Sequence, residues 1–178
     1  MIKIYLGRIS ELIKNNKYDS FLNPILEISE KRVNEKKAGE ILLLTALEEE
    51  KIVIDEPLEY IYHGTKPYLK KYNYYYNLSH TQDFLVLAIS NQEVGIDIEK
   101  QKRMVKKIKE INNIQEWTIA EAAVKFLGSG IKDLKKIKLD KDCLYIEGEK
   151  HHYQTYKQED CFISIVYKTA SEIQIIIL

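Results

Sequence analysis

The sequence FLVLAISNQEVGIDIEK, residues 84–100, contains two strongly apolar runs at 84–90 and 94–98, separated by the polar residues 91–93. Short apolar runs bounded by polar turn residues are typical of buried strands. Because only three residues separate the runs, the stretch predicts a β-hairpin.

A similar pattern occurs near the other end of the chain. Residues 160–166 read DCFISIV, and after a polar turn residues 173–177 read IQIII. This predicts a second hairpin, and the echo indicates two similar α+β halves. The boundary falls near residue 100, which gives an N-terminal half at 1–100 and a C-terminal half at 101–178.

The remaining patterns fit an α+β fold. Apolar residues recur at helical spacing in some segments and at strand spacing in others. Gly128 ends one of the helical patterns. The predicted elements are a strand at 2–6, helices at 10–34 (interrupted near 24), 38–50, 100–109 and 116–128, a loop region with short extended pieces at 57–76, and strands at 137–139, 143–147 and 152–156.

Composition excludes several classes of protein. The formal net charge of the 178 residues is zero, so no global field attracts nucleic acid or a membrane surface. No run is long and apolar enough to span a bilayer, and the start of the chain lacks the pattern of a signal peptide. Cys143 and Cys161 are too few for a disulfide scaffold, so we expect a reducing, cytoplasmic compartment.

Asp97 and Glu99 are the first candidates for chemistry. Residues two apart on a strand point to the same side, so Ile96 and Ile98 would face the core and the carboxylates a common outer space. Paired carboxylates need a neutralising cation, and ligands that are all oxygen suit Mg²⁺. The alternative is a strand end with solvated acids.

Glu121 and Lys125 lie four residues apart on the helix predicted at 116–128, so they share a face with Trp117. A third carboxylate near Asp97 and Glu99 would complete a metal site. Lys125 would then lie one turn away, within reach of a phosphate. The alternative is an ordinary surface ion pair.

Two further segments could contact phosphate. Ser79-His80 precedes the apolar strand, and Lys66-Pro67 lies in a loop with a fixed bend. A serine nucleophile activated by His80 is disfavoured, because adjacent residues on an extended chain diverge. Both segments are also compatible with ordinary turns.

Four blocks occur in a fixed order: KPYL at 66–69, NLSHT at 77–81, VGIDIEK at 94–100 and WTIAEAAVKFLGSGI at 117–131. In this order and spacing they resemble the Sfp-type 4′-phosphopantetheinyl transferases of the holo-acyl-carrier-protein synthase superfamily. The resemblance covers residues 58–131. It implies a pseudo-dimer of two α+β halves, each with a small antiparallel sheet packed on a long helix, and an active site in the cleft between them.

The resemblance also implies roles for the candidate residues. Asp97, Glu99 and Glu121 would bind Mg²⁺, which holds the pyrophosphate of the co-substrate coenzyme A. Glu121 would also be the base for the attacking serine, and Lys125 would neutralise charge on the pyrophosphate.

Coenzyme A would be held by residues of the earlier blocks. Ser79 and His80 would contact its 3′-phosphate, and Gly64, Lys66 and Pro67 would line its adenine. Members of this family commonly have arginines ahead of the first long helix. In this sequence the possible substitutes are Arg32, Lys36 and Lys37.

The implied reaction moves phosphopantetheine from coenzyme A to a serine of an acyl or peptidyl carrier protein and releases 3′,5′-ADP. We expect a monomer without nucleic-acid or membrane partners. One alternative is a catalytically weakened relative that binds coenzyme A or a carrier without transfer, since Ala120 replaces a usual lysine. An unrelated phosphate-binding hydrolase is the other.

Overall fold

The computed structural model describes residues 1–25, 29–63, 66–103, 111–140 and 143–178. These residues form helices and strands in mixed order along the chain. The helices are α1 (Ile9–Lys14), α2 (Glu30–Glu49) and α3 (Ile114–Leu127). The strands are β1 (Ile2–Arg8), β2 (Ile61–His63), β3 (Lys66–Leu69), β4 (Tyr74–Thr81), β5 (Phe84–Ser90), β6 (Val94–Lys100), β7 (Ile137–Leu139), β8 (Leu144–Ile146), β9 (Glu149–Gln158), β10 (Cys161–Tyr167) and β11 (Ile173–Ile177).

The strands form two sheets. The first sheet has the order β11-β1-β5-β4-β3-β2 and the second the order β6-β10-β9-β8-β7. The β1–β11 pair is parallel, and the other pairs are antiparallel. The predicted α+β class, with two sheets, is therefore confirmed.

The predicted hairpin at 84–98 is wrong in its pairing. Strand β5 lies between β1 and β4 in the first sheet, whereas β6 pairs with β10 in the second. Every residue of β5 is buried, so the strand needs cover on both faces as well as a partner on both edges. The short turn at 91–93 therefore carries the chain across from one sheet to the other.

The second predicted hairpin is wrong for the same reason. Strand β10 belongs to the second sheet, and β11 returns to the first sheet beside β1. The echo in the sequence thus corresponds to two crossovers that run in opposite directions. Strand β6, the last strand of the N-terminal half, joins the second sheet, and β11, the last strand of the C-terminal half, joins the first sheet.

The elements form four layers in the order α2, first sheet, second sheet, α3. The side chains of β5 point alternately to the α2 side and to the second sheet, as strand geometry requires. Leu85, Leu87 and Ile89 pack in the cluster with α2. Phe84, Val86 and Ala88 pack between the sheets against β6 and β10. The remaining face of the second sheet is covered by α3.

The helix predicted at 10–34 is largely wrong. Helix α1 ends at Lys14, and a short 3-10 turn covers Asp19–Phe21. The side-chain oxygen of Asn16 accepts a hydrogen bond from the Tyr18 amide at 2.8 Å, and such local bonds compete with helix formation. Helix α2 then begins at Glu30, earlier than the predicted start at 38.

Two other predictions need adjustment. The loop region predicted at 57–76 contains β2, β3 and the first residues of β4, because its tyrosines suit strands. Most of the helix predicted at 100–109 falls on residues 104–110, which lie outside the described residues. None of the described helices combines the length and the apolar character needed to cross a bilayer.

Helix α3 has well-defined ends. The Asn113 side chain accepts a hydrogen bond from the Glu116 amide at 2.9 Å and caps the N-terminus. Gly128 ends the helix in the left-handed conformation, with a φ of 65°. The predicted helix at 116–128 is therefore confirmed with a start two residues earlier.

Gly95 allows α3 to lie directly on β6. A Cβ atom at this position would come within 3.0 Å of the Ala122 carbonyl oxygen and of the Phe126 backbone, closer than real Cβ atoms approach. The helix backbone therefore rests on the strand with no side chain between them. This contact sets the height of α3 above the rest of β6.

We predict that Gly95→Ala lowers the free energy of unfolding by about 3 kcal/mol or more, because a methyl group cannot fit without moving α3. Denaturant titration measures this value. Gly130→Ala is the matched control, since no atom of the described residues lies within 4 Å of its added Cβ atom. Equal stability of the two variants would contradict the close approach.

Candidate functional site

Strand β6 places its side chains as the alternation predicts. Ile96 and Ile98 are buried in the core between the sheets, and Asp97 and Glu99 point to the opposite side. That side is not an open space, however, because α3 covers it. Asp97 is 2% exposed and Glu99 4%.

Glu121 on α3 joins the two carboxylates of β6. One oxygen from each of Asp97, Glu99 and Glu121 lies within 4.8 Å of the others. A single cation placed among them would be within reach of all three. As predicted, the structure brings the three carboxylates together, although Glu121 follows Glu99 by 22 residues in the sequence.

Two basic side chains and a hydroxyl contact this trio. Lys125 Nζ donates to Asp97 Oδ1 at 2.7 Å and to Ser79 Oγ at 2.6 Å. Ser79 Oγ donates to the same Asp97 oxygen at 2.7 Å. On the other side, Arg103 forms an ion pair with Glu99 four residues before it. The buried negative charge is thus partly neutralised.

The other carboxylate oxygen of Asp97, Oδ2, is buried and has no hydrogen-bond partner among the described residues. An unpaired polar atom in a low-dielectric interior is costly, and an ionised carboxylate more so. Three converging carboxylates with one unsatisfied oxygen fit a hard divalent cation such as Mg²⁺, which takes oxygen ligands.

Glu121 has the properties of a group that exchanges a proton near neutral pH. Burial, and secondly the charge of Asp97, raise the pKa of its carboxyl to about 7. Lys125 and Arg103 act in the opposite direction but do not cancel these effects. A carboxyl with this pKa suits general base chemistry.

This raised pKa predicts a pH-dependent stability. The folded protein binds the Glu121 proton more tightly than the unfolded chain, so the contribution is fully present below pH 4.5 and is lost as the pH rises through 7. Between pH 5 and 8, chelator-treated wild type should lose about 1–2 kcal/mol of unfolding free energy relative to Glu121→Gln. Denaturant titrations at both pH values measure the difference.

The control for this measurement is Glu149→Gln. Glu149 pairs with Lys168 on the surface, which lowers the pKa of its carboxyl. It therefore stays ionised from pH 5 to 8, and its replacement should leave the slope unchanged. Parallel curves for wild type and Glu121→Gln would show that the Glu121 carboxyl titrates in its usual range.

Ser79 and His80 lie on opposite faces of β4. Ser79 is buried against Asp97 and Lys125. His80 faces α2, with its Nε2 atom 3.7 Å from Glu35 Oε2, and is half-exposed. The structure therefore places Ser79 at the carboxylates and does not bring the two side chains together.

Lys66 and Pro67 lie on β3. Lys66 donates a hydrogen bond to the carbonyl oxygen of Phe126 near the end of α3, and its ammonium lies 4.9 Å from the centre of the Phe126 ring. Burial lowers the pKa of Lys66. Pro67 lies opposite Tyr62 of β2. Gly64, the remaining predicted residue of this loop, lies outside the described residues.

A cleft of about 650 Å³ lies between α2 and the first sheet, next to His80. The basic residues Arg32 and Lys36 line it, one turn apart on α2. Three tyrosines, Tyr60, Tyr62 and Tyr76, also line it. Arg32, Lys36 and His80 are candidates from the sequence alone, whereas the tyrosines are expected there only to pack in strands and loops. Their clustering in the sequence was a signal, but only the folded sheet shows which of them face α2.

No model of a known protein family matches this chain, and no curated protein sequence matches it either.

Proposed function

We propose that this protein transfers the 4′-phosphopantetheine group of coenzyme A to a serine hydroxyl of an acyl or peptidyl carrier protein and releases 3′,5′-ADP. The observation that carries the proposal is the buried trio of Asp97, Glu99 and Glu121, with Lys125 held beside it. The resemblance of the four sequence blocks supplies the reaction, and this geometry supports it.

Asp97, Glu99 and Glu121 would hold Mg²⁺, and this assignment is supported by Asp97 Oδ2, which has no hydrogen-bond partner in the described part of the chain. When bound, the ion would neutralise charge on the pyrophosphate of coenzyme A. The three carboxylates belong to β6 and α3, whose backbones touch at Gly95, so their positions are fixed by rigid elements. Such preorganisation is what phosphoryl transfer requires of a protein.

Glu121 and Lys125 would act on the reacting groups. Glu121, whose carboxylate faces the same space as those of Asp97 and Glu99, would accept the proton of the attacking serine, directly or through water. Lys125 keeps about a third of its side chain exposed while it is anchored on Asp97. Its ammonium can therefore meet a phosphate oxygen and stabilise the negative charge on the leaving 3′,5′-ADP.

The cleft beside His80 is suited to the nucleotide part of coenzyme A. Its volume of about 650 Å³ falls in the range of small-molecule sites. Of the charged residues in its lining, Glu35 lies beside His80 and Glu40 accepts a hydrogen bond from Tyr60. Arg32 and Lys36 offer positive charge for the 3′-phosphate, and tyrosine rings offer surfaces for the adenine. Ser79 contacts the trio, and the next residue of β4, His80, lines the cleft. The trio and the cleft therefore lie on the two sides of the same strand.

The proposal includes a reducing cytoplasmic setting and a monomer. Cys143 and Cys161 are both free and buried, in keeping with such a compartment. One chain contributes both β6 and α3, so a single copy supplies all three carboxylates.

The direct test incubates the protein with coenzyme A, Mg²⁺ and a panel of apo carrier proteins, and measures the added phosphopantetheine mass. Asp97→Asn should lower the transfer rate at least 100-fold, because it removes a metal ligand but keeps the shape of the side chain. The control is Asp133→Asn, which lies outside the trio and pairs with Lys136, and it should be unaffected. Full activity of Asp97→Asn would refute the metal assignment.

A second test addresses the cleft. Arg32→Gln and Lys36→Gln should each raise the KM for coenzyme A about tenfold with little change in kcat, because they remove ground-state binding of a phosphate. The control is Lys71→Gln, since Lys71 pairs with Asp55 and Glu56 on the surface. An unchanged KM in both cleft variants would place the nucleotide elsewhere.

One observation favours a non-catalytic relative as the second candidate. Ala120, where the resembling family usually has lysine, is 5% exposed and packs within the fold. The site therefore lacks one ammonium that the resemblance would lead us to expect. Calorimetry separates the two functions: binding of coenzyme A that needs no Mg²⁺ and leads to no transfer would support the second.

A further inference from the structure

The three carboxylates of the trio face two basic side chains, and these are held in different ways. Lys125 donates to Asp97 and to Ser79, and both of these residues are buried. It leaves Asp97 Oδ2 without a partner among the described residues. Lys125 and a metal ion can therefore share Asp97, one at each oxygen.

Arg103 is held differently, by a turn at the end of β6. The Arg103 amide donates to the Lys100 carbonyl at 3.0 Å, and the Gln101 amide donates to the Asp160 carbonyl at 2.8 Å. This turn folds the Arg103 side chain back onto Glu99, with which it forms an ion pair. The guanidinium is thus positioned against a carboxylate of the trio by the backbone.

Of the two basic side chains, Arg103 can move away from the trio more easily than Lys125. Its side chain is 51% exposed, compared with 31% for Lys125. A half-exposed arginine that turns outward regains water at its donors, whereas Glu99, 5% exposed at its side chain, would be left without this cation. Glu99 therefore needs a cation, and Arg103 is the replaceable one.

We propose that Arg103 is an internal competitor of the divalent cation, a positively charged side chain that pairs with Glu99 until the ion takes its place. This inference rests on the metal centre of the proposed function. The guanidinium and the ion use the negative charge of the same carboxylate, so each weakens the binding of the other. Arg103 would in this way set the concentration of Mg²⁺ at which the site fills.

The test measures Mg²⁺ binding by calorimetry in the full chain, without co-substrate or carrier. Arg103→Gln removes the charge, and its Kd for Mg²⁺ should fall about 3- to 10-fold, as expected for a partly exposed ion pair. Arg103→Lys keeps the positive charge that competes with the ion, so its Kd should lie closer to the wild-type value than that of Arg103→Gln. Arg8→Gln, which breaks the surface pair with Glu159, is the matched control and should match wild type.

A second readout uses the single tryptophan of the chain. Trp117 is buried on α3 one turn before Glu121, so paramagnetic Mn²⁺ bound at the trio should quench its fluorescence. The half-quenching concentration should shift in Arg103→Gln by the same factor as the calorimetric Kd. This reports occupancy of the trio rather than of other sites.

The outcomes separate the two ideas. Binding to wild type that Arg103→Gln leaves unchanged or weakens would overturn the competition and leave the metal centre intact. Absence of Mg²⁺ and Mn²⁺ binding in wild type and in every variant would overturn the metal centre, and the competition with it. If Arg8→Gln also bound Mg²⁺ more tightly than wild type, the effect would come from the loss of any surface positive charge. That result would overturn the specific role of Arg103.

Discussion

The contact between the backbone of α3 and β6 at Gly95 is the constraint on which the site depends. Because no side chain separates the two elements, Glu121 comes down to the level of Asp97 and Glu99. The contact is available because β6 leaves the sheet of β5 and becomes the edge of the second sheet, beneath α3. A true hairpin would have kept β6 in the first sheet.

The consequence of this close approach is a buried concentration of negative charge, which costs stability. The protein offsets part of that cost with Lys125, Ser79 and Arg103, and within the described ranges Asp97 Oδ2 has no hydrogen-bond partner. Perturbed and incompletely neutralised groups of this kind concentrate at functional sites. The burial and the spacing of the three carboxylates therefore fit a bound cation.

The two faces of β4 give the proposed site its shape. Ser79 belongs to the carboxylate side, and His80 belongs to the cleft beside α2. A ligand that contacts both features must extend past a strand of the first sheet. Such an arrangement suits an elongated anionic molecule with phosphates at separate points, as in the proposed use of coenzyme A, better than a compact one.

Local patterns in the sequence determined the α+β class, most strands, the end of α3 at Gly128 and the alternation that sets Asp97 and Glu99 opposite Ile96 and Ile98. These are properties of neighbouring residues and of backbone geometry. Only the tertiary structure decided which strands pair. A run that is apolar on both faces, such as β5, indicates that the strand is buried but not which strands lie beside it. The same holds for the burial of the carboxylates and for the bond from Lys66 to α3, which depend on packing between segments far apart in the chain.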